Sequence, residues 1–150
     1  MISLFELTRE YLLDQATIVA EVGARVWGLT TPTDEVNQMP RKAIRITMDT
    51  EPVGSLPTIR FRANLICYGA NMIEAEALSR VVYDAIKRSG SVAVTLSGGD
   101  YCLYVCHCVR PTSLLFEPLT KWPRGDSGWL IEAEEGDRSE ERRVGKECRS

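Results

Sequence analysis

Cys102-Leu103-Tyr104-Val105-Cys106-His107-Cys108 places three thiols and the chain's single imidazole within seven residues. These are the donor types that hold zinc or iron. On a strand, Cys102, Cys106 and Cys108 point to one face and His107 to the other. A single strand cannot wrap four ligands around one ion, and no second C-x-x-C or H-x-x-x-H completes a site. The cysteines therefore read as small core hydrophobes, and no metal is expected. His107 is also the only ready general base near neutral pH. A Cys-His nucleophile pair needs a thiol within hydrogen-bond reach across space, and only Cys67, on a neighbouring strand, could supply it.

The remaining candidates carry less. Ser97-Gly98-Gly99-Asp100 is glycine-rich but lies between two strands, whereas a phosphate-binding loop needs a helix N-terminus after its glycines. It reads as a hairpin turn. Glu74 and Glu76, two apart on a helix, face different ways and suit the positive end of the helix dipole better than a paired-carboxylate site. Arg41, Arg45, Arg60 and Arg62 form the one basic concentration. No aromatics interleave with it, so a strand face or a subunit contact is the better reading than nucleic acid. Trp27, Trp122 and Trp129 read as core or interface anchors. No catalytic, cofactor-binding or metal-ligating residue emerges, and no enzyme or cofactor is expected.

The elements that carry these residues are legible from periodicity. Leu4, Leu7, Tyr11 and Leu12 make one helical face, Asp14 is placed to cap a second short helix, and Gly23 ends it. Residues Thr30 to Pro40 are loop. Ala43 to Met48 reads as a strand, a turn-rich segment Glu51 to Pro57 follows, and Thr58 to Tyr68 alternates clearly. In that strand Ile59, Phe61, Ala63, Leu65 and Cys67 face one way. Met72 to Arg88 is the strongest helix, with an apolar stripe of Ile73, Ala77, Leu78, Val81, Val82, Ala85 and Ile86. Strands Ser91 to Leu96 and Tyr101 to Arg110 form a hairpin, closed by Pro111. Leu114 to Trp122 is a connection, and Gly128 to Ala133 a final strand. The expected class is α+β: a mainly antiparallel sheet with helices packed on one face.

The chain has 150 residues, 44% hydrophobic and 26% charged. That length suits one domain that buries roughly two thirds of its unfolded surface and needs no disulfide or metal to fold. No apolar run approaches the ~20 residues of a membrane helix, and Met1 to Glu6 lacks the basic start of a secretory signal. Five cysteines, an odd count, suit a reducing compartment where thiols stay free. Residues 138–150, Arg-Ser-Glu-Glu-Arg-Arg-Val-Gly-Lys-Glu-Cys-Arg-Ser, shift abruptly to charge. The string is, codon for codon, the forward translation of a common sequencing adapter, so the expected organisation is a single domain over 1–137 and a foreign tail over 138–150. Without the tail the body holds 13 basic and 18 acidic residues, net −5.

As a whole the pattern resembles siphophage tail-completion or tail-terminator proteins. Val22-Gly23-Ala24-Arg25-Val26-Trp27 is similar to that family's V-G-x-R-(I/V)-(Y/W) step, followed by a proline-bounded loop and a strand. Leu65-Ile66-Cys67-Tyr68-Gly69 then runs into the Glu74-Ala75-Glu76-Ala77 helix, where the family often shows D-x-(W/Y)-(A/G). A closing strand after Trp122-Pro123 also fits. Asn64, where the family often has an acid, and the cysteine-rich hairpin strand depart from it. The resemblance implies a homo-oligomeric ring, usually six-fold, that caps the tail tube in the virion and forms part of the head-tail interface after assembly in the host cytoplasm. Its partners would be further copies of itself, the tail-tube protein and the head-tail connector. DNA would pass through the lumen without specific binding, and no membrane is involved. Strand edges and the Thr30–Pro40 loop are the expected contacts. A head-completion or neck adaptor, a host binding module and a small Cys-His hydrolase remain alternatives.

Overall fold

A computed structural model describes residues 3–48, 53–55, 58–96 and 99–136, with backbone alone at 53–55 and 106. The expected turn residues Ser97 and Gly98, the tail over 138–150 and much of the Glu51–Pro57 segment lie outside these residues. Helix α1 spans Leu4–Leu13 and buries Leu7, Thr8, Tyr11 and Leu12, and its first turn is capped by Ser3, whose hydroxyl accepts from Glu6 N at 3.2 Å. Helix α2 spans Ala16–Val22 and ends at Gly23, whose φ of 62° disfavours any side chain. The expected cap at Asp14 is corrected. Asp14 keeps helical backbone angles as the last turn of α1, whereas the extended conformation an N-cap needs falls on Gln15.

Strand β1 (Val26–Gly28), the one-turn helix α3 (Thr33–Val36), β2 (Ala43–Met48), β3 (Val53–Ser55) and β4 (Thr58–Tyr68) follow. Helix α4 (Met72–Ser89) leads into β5 (Ser91–Leu96), β6 (Gly99–Phe116) and β7 (Pro123–Glu135). The sheet order is β1-β2-β4-β7-β6-β5, with β3 on β4. Among the described residues β1–β2 is the one parallel pairing and the others are antiparallel. The class is α+β, as the periodicities require. Two strands outrun their expected limits: β6 does not stop at Pro111, and β7 begins at Pro123 rather than Gly128. Beyond Tyr104, β6 pairs with β7 alone among the described residues. A proline there costs no ladder bond, and it sits in the irregular stretch between Arg110 and Ser113.

One face of the sheet carries the main core. Phe61, Ala63, Leu65 and Cys67 of β4 and Trp129, Ile131 and Ala133 of β7 meet Leu78, Val82, Ala85 and Ile86 of α4 and the apolar faces of α1 and α2. Each large side chain buried this way contributes about 1.5–3 kcal/mol. The first turns of α4 depart from the expected stripe: Ile73 is 78% exposed and Ala77 is exposed, while Ala75 and Ser79 face the sheet. The cause is close approach. A Cβ on Gly69 would strike the Ala75 backbone, and one on Gly125 would strike Ser79 Oγ, so only small side chains fit between helix and strands. Helix α1 packs against β1 and β2 at one end of the sheet and against β5 at the other. The sheet therefore curls until both ends face the same helix. Arg9 of α1 donates from Nε to Val26 O at 2.8 Å, which occupies a carbonyl on the β1 edge.

Candidate interaction surface

The structure separates the groups that could have made an active site. Cys102 and Cys108 lie on opposite faces of β6, not on one face. The register slips between Val105 and His107, so Cys108 comes opposite core residue Trp129 while Cys102 is opposite Glu134. Cys102 is disulfide-bonded and buried, which the expectation of free thiols did not foresee. Cys108 is free and partly buried, and its thiol lies 3.3 Å from Arg110 O. His107 is exposed and pairs with Leu130. Cys67 is opposite Gly125 on the other face, and burial pushes its thiol up to about 12. The Cys67–His107 pair does not form. Among the described residues no group of three metal-ligating side chains converges, and no helix is long and apolar enough to cross a membrane.

Glu74 accepts from Ala70 N at 2.9 Å while its own N–H donates to Asn71 Oδ1 at 2.9 Å, a reciprocal cap on α4. Glu76 lies on the flank of the helix beside Arg80, 3.4 Å away. Three of the four clustered arginines are engaged by acids of this chain: Arg41 with Glu35, Arg45 with Glu117 at 3.8 Å, and Arg60 with Glu132 at 3.9 Å. Arg62 is exposed. Of the tryptophans, Trp129 is core, and its indole donates to Ser127 Oγ at 2.9 Å. Trp27 and Trp122 lie instead on the opposite face of the sheet, around Ala43, Ile66 and Tyr68, with Trp122 edge-on to Tyr68 at 5.6 Å.

This second face organises the far end of the β6–β7 hairpin. Glu117, at the first turn position, accepts from Tyr68 OH at 2.7 Å and from Arg124 Nη1 at 3.1 Å, and Thr120 Oγ1 donates to its other oxygen at 3.2 Å. Arg45 Nε donates to Tyr68 OH at 3.0 Å, and Arg124 also pairs with Asp126 at 3.2 Å. Burial and then the Glu117 contact raise the Tyr68 phenol to about 12. Burial also raises the Asp126 carboxyl, against the pull of Arg124, Arg110 and Arg45. Backbone bonds from Glu117 N to Trp122 O (2.9 Å) and from Lys121 N to Glu117 O (2.8 Å) close the turn. At its tip Leu119 is 93% exposed, and Phe116 beside it is 58% exposed. Hydrophobic periodicity marks this segment only as a connection. Its signal was a leucine set between turn formers, Glu117-Pro118-Leu119-Thr120-Lys121.

A groove of about 280 Å³ runs between the flank of α4 and the outer edge of β6, lined by Glu76, Ser79, Arg80, Tyr83, Thr112 and Leu114. Tyr83 and Leu114 are 38% and 43% exposed on its walls. A second cavity of about 330 Å³ lies further along α4 and includes Lys87, His107 and Trp129. The surface can therefore offer an apolar knob, an apolar groove and a strand edge unpaired among the described residues, features that suit contact with macromolecules.

No protein-family model and no curated protein matches the chain. Among solved structures, a chain of the "Virion of native gene transfer agent (GTA) particle" is similar over 88% of this chain and 95% of that one, with a TM-score of 0.52 and 17% identity. The two share a fold.

Proposed function

We propose that residues 1–137 form a structural, non-enzymatic subunit of a phage-like virion, and that the subunit is a tail terminator. In this reading copies assemble as a ring, six-fold by the family resemblance, at the head-proximal end of the tail tube. The ring stops tube growth and docks the connector, and DNA passes its lumen unread. The observation that carries the reading is a fold shared along nearly the full length of both chains with a component of a virion particle. The sequence resemblance narrows it to the tail. A body of net −5 suits a channel that does not retain phosphates, and exposed apolar side chains around Leu119 and the α4–β6 groove suit a protein that works by surface contact.

The test is co-assembly. The purified chain is mixed with a phage tail-tube protein and a head-tail connector protein and viewed by electron microscopy. Rings seated on the ends of tubes of fixed length are expected. Tubes that grow without limit in its presence would remove the terminator role. Rings that bind the connector but ignore tubes would move the protein to the neck.

A further inference from the structure

The hairpin tip carries an exposed leucine and a lysine, and the groove carries apolar walls and a glutamate beside Arg80. The tip is pre-organised. Glu117 is fixed by Tyr68, Arg124 and Thr120, two backbone bonds close the turn, and Leu119 projects with 93% of its surface exposed. An apolar side chain held rigidly in water loses little freedom when it docks, which is the usual character of an interface anchor. Two residues on, Lys121 is exposed and has no carboxylate partner among the described residues. The groove has the opposite features. Its walls are Tyr83 and Leu114, its volume of about 280 Å³ admits an aliphatic side chain, and its rim carries Glu76. Glu76 is half exposed, and its partner among the described residues, Arg80, is itself 70% exposed at 3.4 Å, a surface pair of small worth that exchanges easily.

We infer that the groove between α4 and β6 receives the Leu119 tip of a second copy of this chain, with Lys121 of the incoming turn paired to Glu76. The inference rests on the assembly reading above and names the contact by which that assembly closes. Knob and groove are different patches, so the contact is head-to-tail and propagates from copy to copy until a ring closes. Burying Leu119 removes the most exposed apolar side chain of the described hairpin residues from water, and the lysine fixes the direction in which it enters.

The experiment measures self-association of the full chain by sedimentation velocity over a wide concentration range. The wild-type chain is expected to form a closed oligomer. Leu119→Asp is expected to shift its assembly to at least tenfold higher concentration. Lys121→Glu and Glu76→Lys should each weaken assembly severalfold, and the double variant Lys121→Glu/Glu76→Lys should restore most of it. Both charges are at the surface, so restoration reports the pair and not the fold. If the oligomer forms but is indifferent to Leu119→Asp, or if the swap restores nothing, this contact is overturned and the ring reading stands. A chain that stays monomeric at every concentration, alone and with tail tubes, overturns both.

Discussion

At the closed end of the sheet, α1 lies across β1, β2 and β5 and seals them with Leu7, Tyr11 and Leu12, while Arg9 occupies a β1 carbonyl. At the β6–β7 hairpin no second strand pairs with the outer edge of β6 beyond Tyr104 among the described residues, and the turn is held by Glu117, Tyr68, Arg45 and Arg124. One end is fixed by apolar burial and finished within the chain. The other is fixed by charge-assisted hydrogen bonds and displays apolar side chains outward. Proteins blunt sheet edges they do not use, and this one blunts its β1 edge with α1 and Arg9. The hairpin lacks a comparable cover among the described residues, which is what the proposed self-contact uses.

The sharpest way to break that contrast is to loosen the sealed end. Leu12 is fully buried, and Leu12→Ala should cost about 2–5 kcal/mol from lost transfer energy and the cavity left behind. Because α1 also covers two strand edges, the variant should aggregate on heating where the wild type does not. Urea unfolding followed by light scattering checks both. A loss below ~1 kcal/mol with no aggregation would mean that α1 is an ornament on a sheet already closed without it.

The polar end should fail differently. Glu117→Ala removes the acceptor shared by Tyr68, Arg124 and Thr120 and leaves two largely covered guanidinium groups short of a partner. Breaking a buried pair costs about 3–5 kcal/mol; with the side chains here 17–20% exposed, about 3 kcal/mol is the better figure. The loss should be local, seen as faster amide exchange over residues 114–124 while α1 amides stay protected. Uniform loss of protection would show that the two ends are one cooperative unit.

Sequence periodicity revealed the sealed end and largely missed the open one, for a physical reason. Strands β2 and β4 and helix α4 bury a continuous face, so their side chains repeat at the period of the element, and the limits read for β2 and β4 agree with those observed. The hairpin obeys no such repeat. Register slips after Val105 and Cys108 change which face each residue serves, so Cys102 and Cys108 looked like neighbours and are not. Pro111 looked like a stop because its missing N–H matters only in a strand paired on both sides. The network at Glu117 joins residues 45, 68, 117 and 124, whose proximity depends on tertiary register alone. The candidate Cys67–His107 pair failed for the same reason, since the two sit on opposite faces.

Alkaline pH sharpens the contrast from the solvent side. Tyr68 has its phenol raised from 10 to about 12, first by burial and then by Glu117. The folded state therefore favours the protonated phenol. Its contribution is fully present below pH 10 and is lost as pH rises through 12, up to about 2 kcal/mol. Stability of the wild type should fall over that window. Tyr68→Phe should make the fall shallower while lowering the plateau, the remaining slope coming from groups such as the buried Cys67 thiol, also raised to about 12. An unchanged slope in the variant would assign the alkaline loss elsewhere.

The smallest effect is the most discriminating, because sequence and structure disagree on its size. By helical period Ile73 belongs to the apolar stripe of α4 with Leu78, and its truncation would then cost what Leu78→Ala costs. In the fold Leu78 is 1% exposed and Ile73 is 78% exposed, since the first turns of α4 approach β4 and β7 through Ala75 and Ser79. Leu78→Ala should lose about 2–5 kcal/mol, whereas Ile73→Ala should stay within about 0.5 kcal/mol of wild type. Ile73 lies one turn before Glu76 on the side of α4 near the groove. Its apolar character is then assigned to the proposed assembly and not to the core. Equal losses at the two positions would place Ile73 inside the monomer and take an apolar residue away from the open end.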